Sequence, residues 1–225
     1  MGTGTKADLQ GDLSELNHCA KVGVMVRWKL SFTGAPMDRF EYVMVMVSII
    51  IGLAFVHLLQ GLAEVAQRPR PFRLRSIHLV WVLFMLVTVA FFWWWQFKLQ
   101  ALQEWTFGTY IFELAFACVM YFQSTLLFPK DLGPDVDLDE FFHQQRGWFF
   151  GVNALGQLLD LVDTWIKGSE HFQSLGPEYP IGVAFNVIGS LIAIFVPARA
   201  FQWVFALASL LYVLSWALRQ FNTLA

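Results

Sequence analysis

EYVMVMVSIIIGLAFVHLLQGLAEV, residues 41–65, decides the fold. Between Tyr42 and Glu64 it carries no acidic or basic residue except His57, and it is followed at once by the arginine- and proline-rich run Gln67–Arg75. A hydrocarbon core about 30 Å thick is crossed by roughly 20 apolar helical residues. This stretch therefore reads as a membrane-spanning helix that stops where proline and charge begin.

Working outward, five further apolar stretches follow. With the first, they predict an all-α, polytopic bundle of six transmembrane helices near 41–65, 78–101, 107–128, 148–167, 180–197 and 201–219. Composition agrees: 57% of the 225 residues are hydrophobic and 14% charged, too apolar for an ordinary soluble domain. The spans use over half the chain and leave no room for a separate soluble enzyme domain. The net charge of −2 gives no reason to expect a nucleic-acid partner.

The expected domain organisation is an N-terminal extension, 1–36, and a six-helix transmembrane domain, 37–225. Residues 1–20 are polar and lack the apolar core of a signal peptide. Met37-Asp38-Arg39-Phe40 precedes the first span and reads as a start site, so that 1–36 is a non-native or poorly ordered extension; an ordinary N-terminal arm is the alternative.

Orientation follows from basic residues. Arg68, Arg70, Arg73 and Arg75 crowd the first joint and place it in the cytoplasm by the positive-inside rule. Lys130, Arg146 and Arg199 lie in joints on that side. Arg39, Lys98, Lys167 and Arg219 fall opposite, and Lys6, Lys21, Arg27 and Lys29 of the tail weaken the asymmetry. Both termini are expected outside the cytoplasm. Trp93-Trp94-Trp95 and Trp105 bracket the second joint as an interfacial belt.

Polar groups inside lipid mark function by default. The fourth span places Asn153, Gln157, Asp160, Thr164 and Lys167 on one helical stripe, with Asp163 beside it and one turn before Lys167. The first span adds His57, Gln60 and Glu64, and the third adds Glu113. The fifth presents Gly182, Asn186, Gly189 and Ala193, a small-residue face that permits close packing. Counting ~1.5 Å per residue in alternating directions gives two layers. The outer one holds Glu113, Asp160 and Asp163, and the inner one His57, Asn153 and Gln157. Three carboxyls at one depth would hold a proton, pair with lysine or bind a cation. The bland reading is that they are hydrated near the interface or paired with Lys167.

Other chemistry is not supported. Cys19 and Cys118 fall in different compartments, and no zinc or haem-attachment spacing occurs. His57 and His78 differ too much in depth to ligate one haem. Asp135, Asp137, Asp139 and Glu140 form an acidic joint without the turn glycine and distal glutamate of a calcium loop. Hydrolase, phosphate-loop and metalloprotease motifs are lacking. No catalytic residue, metal or cofactor is expected.

Two stretches, Ser48–Leu59 and Leu127–Gly151, resemble a group of small bacterial integral membrane proteins of unknown function. The resemblance covers 37–225 and implies a bacterial inner-membrane location, with no activity or site residues attached. The reading is then a small transporter- or channel-like protein with an intramembrane acidic path. The alternative is an accessory or scaffolding subunit, its polar stripe an interface with a second copy or another membrane protein.

Overall fold

The computed structural model describes residues 38–67, 77–102, 104–130 and 136–221, leaving aside the side chains of Gln220 and Phe221. The expected extension 1–36 and the loop bearing Arg68, Arg70, Arg73 and Arg75 lie outside the described residues. The helices are α1 (Arg39–Ala66), α2 (Ile77–Trp95), α3 (Phe107–Thr125), α4 (Leu138–Ile166), α5 (Ser169–Ser174), α6 (Glu178–Phe195) and α7 (Arg199–Phe221). A 3₁₀ turn, Gln96–Ala101, continues α2, and no strand occurs among the described residues.

Four segments are long and apolar enough to cross a membrane: Arg39–Ala66, Ile77–Ala101, Glu178–Phe195 and Arg199–Arg219. The expectation of six is thus met for four. Helices α3 and α4 fall short in apolarity because they carry the buried polar groups Glu113, Gln123, Ser124, Asn153, Asp163 and Thr164.

The acidic joint also needs correction. Its described part is the start of α4, which begins ten residues before the expected span 148–167. Asp137 is the N-cap, accepting from the backbone N–H of Asp139 at 2.9 Å and of Glu140 at 3.3 Å. Asp139 and Glu140 occupy the first turn, where acidic side chains favour the positive end of the helix dipole. At the far end of α4, Gly168 takes φ +112°, a conformation that favours glycine, and lets the chain turn into α5.

Contacts between helix ends give the course of the chain. His78, at the start of α2, bonds through Nε2 to the Leu127 carbonyl after α3 at 2.5 Å, and its backbone N–H reaches Asp139 of α4 at 3.3 Å. At the other end of α2, Lys167 lies 5.1 Å from the centre of the Trp95 ring. So α4 runs parallel to α2 along its whole length, and α3 runs antiparallel to both. Asn153 of α4 meets Ser190 of α6, and Thr164 meets Tyr179, which makes α6 antiparallel to α4. Trp81 and Phe205 bring the starts of α2 and α7 together. On α1, Phe40 meets Trp105, Ser48 meets Trp93 and Gly61 meets Phe128, so α1 opposes α2. Six long helices alternate in direction.

Their outer faces are apolar. On α4 the exposed large residues are Trp148, Leu155, Leu158, Val162 and Trp165, a helical stripe opposite the polar one. On α6 they are Ile181, Phe185, Ile188, Leu191, Ile192 and Phe195. Apolar stripes turned outward over a polar interior suit hydrocarbon as the surrounding solvent.

Because lipid tails are as apolar as leucine, packing rather than water exclusion joins such helices. Trp81 is the node: its ring centre lies 5.2–5.4 Å from those of Phe84, Phe149, Phe150 and Phe205. Each such aromatic pair contributes about 0.5–1.5 kcal/mol beyond its buried area. Gly189 receives the Phe205 ring and Gly182 the Tyr212 ring, so a Cβ at either would overlap the ring.

Gly189→Ala should therefore lower unfolding stability in detergent by about 1–3 kcal/mol, because Phe205 is boxed in and cannot yield. Gly52→Ala, where a Cβ meets no heavy atom within 4 Å, should show no loss. Equal thermal shifts for the two variants would refute this account of α6–α7 packing.

Candidate functional site

The polar stripe of α4 faces inward and divides into three parts. The first is an amide bridge. Asn153 accepts from Gln123 Nε2 of α3 at 2.9 Å and donates through Nδ2 to Ser190 Oγ of α6 at 2.8 Å. Asn153 and Gln123 are 2% exposed and Ser190 is fully buried. The bridge satisfies amide groups that lipid could not.

The second part is a charged cluster about three to four turns further along α4. Glu113 is 1% exposed and Asp163 is fully buried. Gln96 Nε2 donates to Glu113 Oε2 at 3.0 Å. Lys167 Nζ donates to Asp163 Oδ2 at 2.5 Å, with both side chains inaccessible to solvent. The Glu113 and Asp163 side chains lie within hydrogen-bonding reach of each other, and Gln96 lies against both. Glu113 Oε1 and Asp163 Oδ1 nevertheless have no donor. A proton between the two carboxyls would supply the missing bond, with Lys167 paired to Asp163.

The third part is Asp160. Its Oδ2 accepts from Tyr179 Oη at 2.8 Å, and that hydroxyl lies 2.7 Å from Thr164 Oγ1. Thr164 donating to Tyr179, and Tyr179 to Asp160, is the arrangement that gives every hydroxyl proton a partner. Asp160 faces a cavity of about 310 Å³ between α2, α3, α4, α6 and α7. Gln157, Asn153, Gln123 and Asn186 line the same cavity, and Lys98 lies at its wall. Asn186 donates to the Gly182 carbonyl at 3.0 Å, while its Oδ1 is buried without a partner.

Of the residues expected from sequence, the structure brings together Glu113, Asp163 and Lys167, and separately Asn153, Gln157 and Asp160 around the cavity. His57 stands apart. It is half-buried on α1 with its ring 6.2 Å from Phe128, and it does not line the cavity. Gln60 and Glu64, which share a helical face with it, are exposed, because α1 turns its Val43–Val47–Ile51–Ala54–Leu58 stripe inward. His78 also contacts Phe128, and its Nε2 is taken by Leu127. Among the described residues, no three His, Cys, Asp or Glu side chains converge to hold a metal ion.

Sequence reasoning missed Gln96, Gln123 and Tyr179. Gln96 and Gln123 sit next to apolar runs, and a glutamine inside an apolar run is the signal that could have found them. Tyr179 carried no such mark, being one aromatic among many. No protein family, curated protein sequence or solved structure matches the chain.

Two outcomes follow. Lys167→Met should destabilise the protein by about 3–5 kcal/mol, since it strands buried carboxyls, and adding Asp163→Asn should recover part of that loss. A loss under about 1 kcal/mol in chemical unfolding would mean that the cluster is hydrated. His171, on α5, packs against Trp95 with ring centres 5.2 Å apart. Burial first, then the charges of Lys167 and Lys98, push it from 6.5 down to about 4. The unfolded chain thus binds a proton on His171 that the folded one does not. That contribution is complete above about pH 6.5 and is lost as pH falls toward 4. Stability measured against pH should fall less steeply across this window in His171→Gln than in the parent. Superimposable curves would refute the assignment.

Proposed function

We propose that this chain is a multi-pass protein of a bacterial inner membrane that crosses six times and serves as a small transporter- or channel-like protein for protons or small cations. The observation that carries the proposal is the set of three carboxyls, Glu113, Asp160 and Asp163, near the inaccessible ammonium of Lys167, with Asp160 and several amides reaching a largely apolar cavity. In a medium of low dielectric constant three carboxylates against one ammonium leave two charges unbalanced. In this reading each is met by a proton or another cation.

Six crossings are supported by the alternation of the six long helices and by the course of α4 beside the whole of α2. The inner-membrane location rests on the resemblance of the Ser48–Leu59 and Leu127–Gly151 stretches, and the cytoplasmic side is the one to which the basic loop Arg68–Arg75 belongs. In this reading Asp160 exchanges ions with the cavity, its carboxylate held in place by the Tyr179 hydroxyl. Gln157 and Asn153 line the half of the cavity nearer the basic loops.

The alternative is an accessory or scaffolding subunit whose polar stripe meets a homo-oligomeric or other membrane partner. Asn153 already spends its amide on Gln123 and Ser190 within the chain, which leaves that reading without its main anchor.

Protein reconstituted in liposomes should dissipate an imposed pH or cation gradient, and Asp160→Asn should reduce the flux at least tenfold while leaving reconstitution unchanged. Equal flux in the variant would remove Asp160 from the path. No flux above empty liposomes, for either protein, would end the transport reading.

A further inference from the structure

The cavity beside Asp160 is larger than an ion path requires. At about 310 Å³ it falls in the range of small-molecule sites, whereas one water occupies about 30 Å³. Its walls are mostly aromatic and aliphatic, with Phe92, Phe116 and Met120 on one side and Val183 and Val213 on another. Such a lining does not favour a hard metal ion, which takes six or more oxygen ligands.

We propose that this cavity binds a lipophilic organic monocation, an onium or protonated amine bearing aromatic or alkyl groups, with Asp160 as its counter-ion and Tyr179, Trp216 and Tyr212 as its aromatic bed. The proposal rests on the reading of Asp160 as an ion-carrying group and goes further by naming the substrate class.

Four observations support it. Asp160 is the sole carboxylate among the lining residues. Lys167 makes its ion pair with Asp163, while Asp160 takes its hydrogen bond from the neutral Tyr179 hydroxyl. The aromatic groups are contiguous with it: Tyr179 Oη lies 2.8 Å from the carboxylate, and the Tyr179 and Tyr212 ring centres lie 6.1 and 6.2 Å from that of Trp216. Aromatic faces attract cations, as the exposed Arg219 guanidinium 5.7 Å from the Trp216 ring centre illustrates. Finally, Asn186 is 2% exposed, lines the cavity and has an unpartnered Oδ1, an acceptor ready for an N–H or polarised C–H of a cation.

Lys167 over the lining Trp95 and Arg219 over Trp216 are opposing charges, and the one at the wall itself is Lys98. It is exposed, so its ammonium can turn outward toward water and headgroups. It then acts as a modest barrier to cations at the wall.

The test uses the full-length protein in detergent, with tetraphenylphosphonium as the probe and tetraphenylborate as its isosteric anion. Saturable binding followed by calorimetry or tryptophan fluorescence should weaken at least tenfold in Asp160→Asn and several-fold in Trp216→Leu. It should stay within a few-fold in Asp160→Glu and tighten in Lys98→Ala. Tetraphenylborate should not bind saturably. Three results would overturn the inference: no saturable tetraphenylphosphonium binding to the parent, undiminished binding in a folded Asp160→Asn variant, or tetraphenylborate binding as tightly as the cation. Asp160-dependent proton flux without phosphonium binding would overturn it and leave the transport reading standing. Asp160-dependent binding without any flux would uphold the cation site and remove the transport reading.

Discussion

A helix that carries Asn153, Gln157, Asp160, Asp163, Thr164 and Lys167 along one face cannot turn that face toward hydrocarbon. An unsatisfied polar group there costs several kcal/mol, and an isolated charge more. The rest of the structure answers this constraint. Helix α3 brings Gln123 and Glu113, α6 brings Ser190 and Tyr179, and the 3₁₀ turn after α2 brings Gln96. Each of the long helices next to α4 supplies a partner at the depth where α4 needs one.

Covering that face takes close packing. Glycines on α6 admit the Tyr212 and Phe205 rings of α7, and Gly61 of α1 admits Phe128. Trp81 and its phenylalanine neighbours fill the end of the bundle near the amide bridge. The opposite end is filled less completely, and the cavity remains there beside Asp160. The same helices thus form a tight aromatic core at one end and, from the amide bridge toward the other, an apolar space with a few polar groups. The division follows from where large rings alternate with amides and carboxyls along the chain.

Two kinds of polar group emerge. Asn153 is spent on structure, its donor and acceptor both occupied. Glu113 and Asp163 are incompletely satisfied, and Asp160 opens on the cavity. Groups of the first kind specify which helices meet. Groups of the second kind can change protonation or partner without dismantling the bundle, and so they are the ones to which function is assigned.

The sequence by itself determined that long apolar helices form and roughly where most of them begin and end, because length, apolarity and proline stops are local properties; the start of α4 at Leu138 it did not show. It also determined the α4 stripe and the Asp163–Lys167 pair, since positions three and four apart on a helix must be neighbours. Depth counting brought Glu113 level with Asp163. It also put His57 level with Asn153, yet His57 lies on a helix that does not reach the cavity. Only the tertiary structure decided which side each helix turns inward. For α1 an apolar stripe was preferred over the face bearing Gln60 and Glu64, because the side chains of that stripe join the apolar core while those two residues sit near a helix end where water can reach them. Gln96, Gln123 and Tyr179 became visible as partners only once the helices were assembled. Lateral contact depends on side-chain shapes from distant segments, and no local pattern in the chain encodes it.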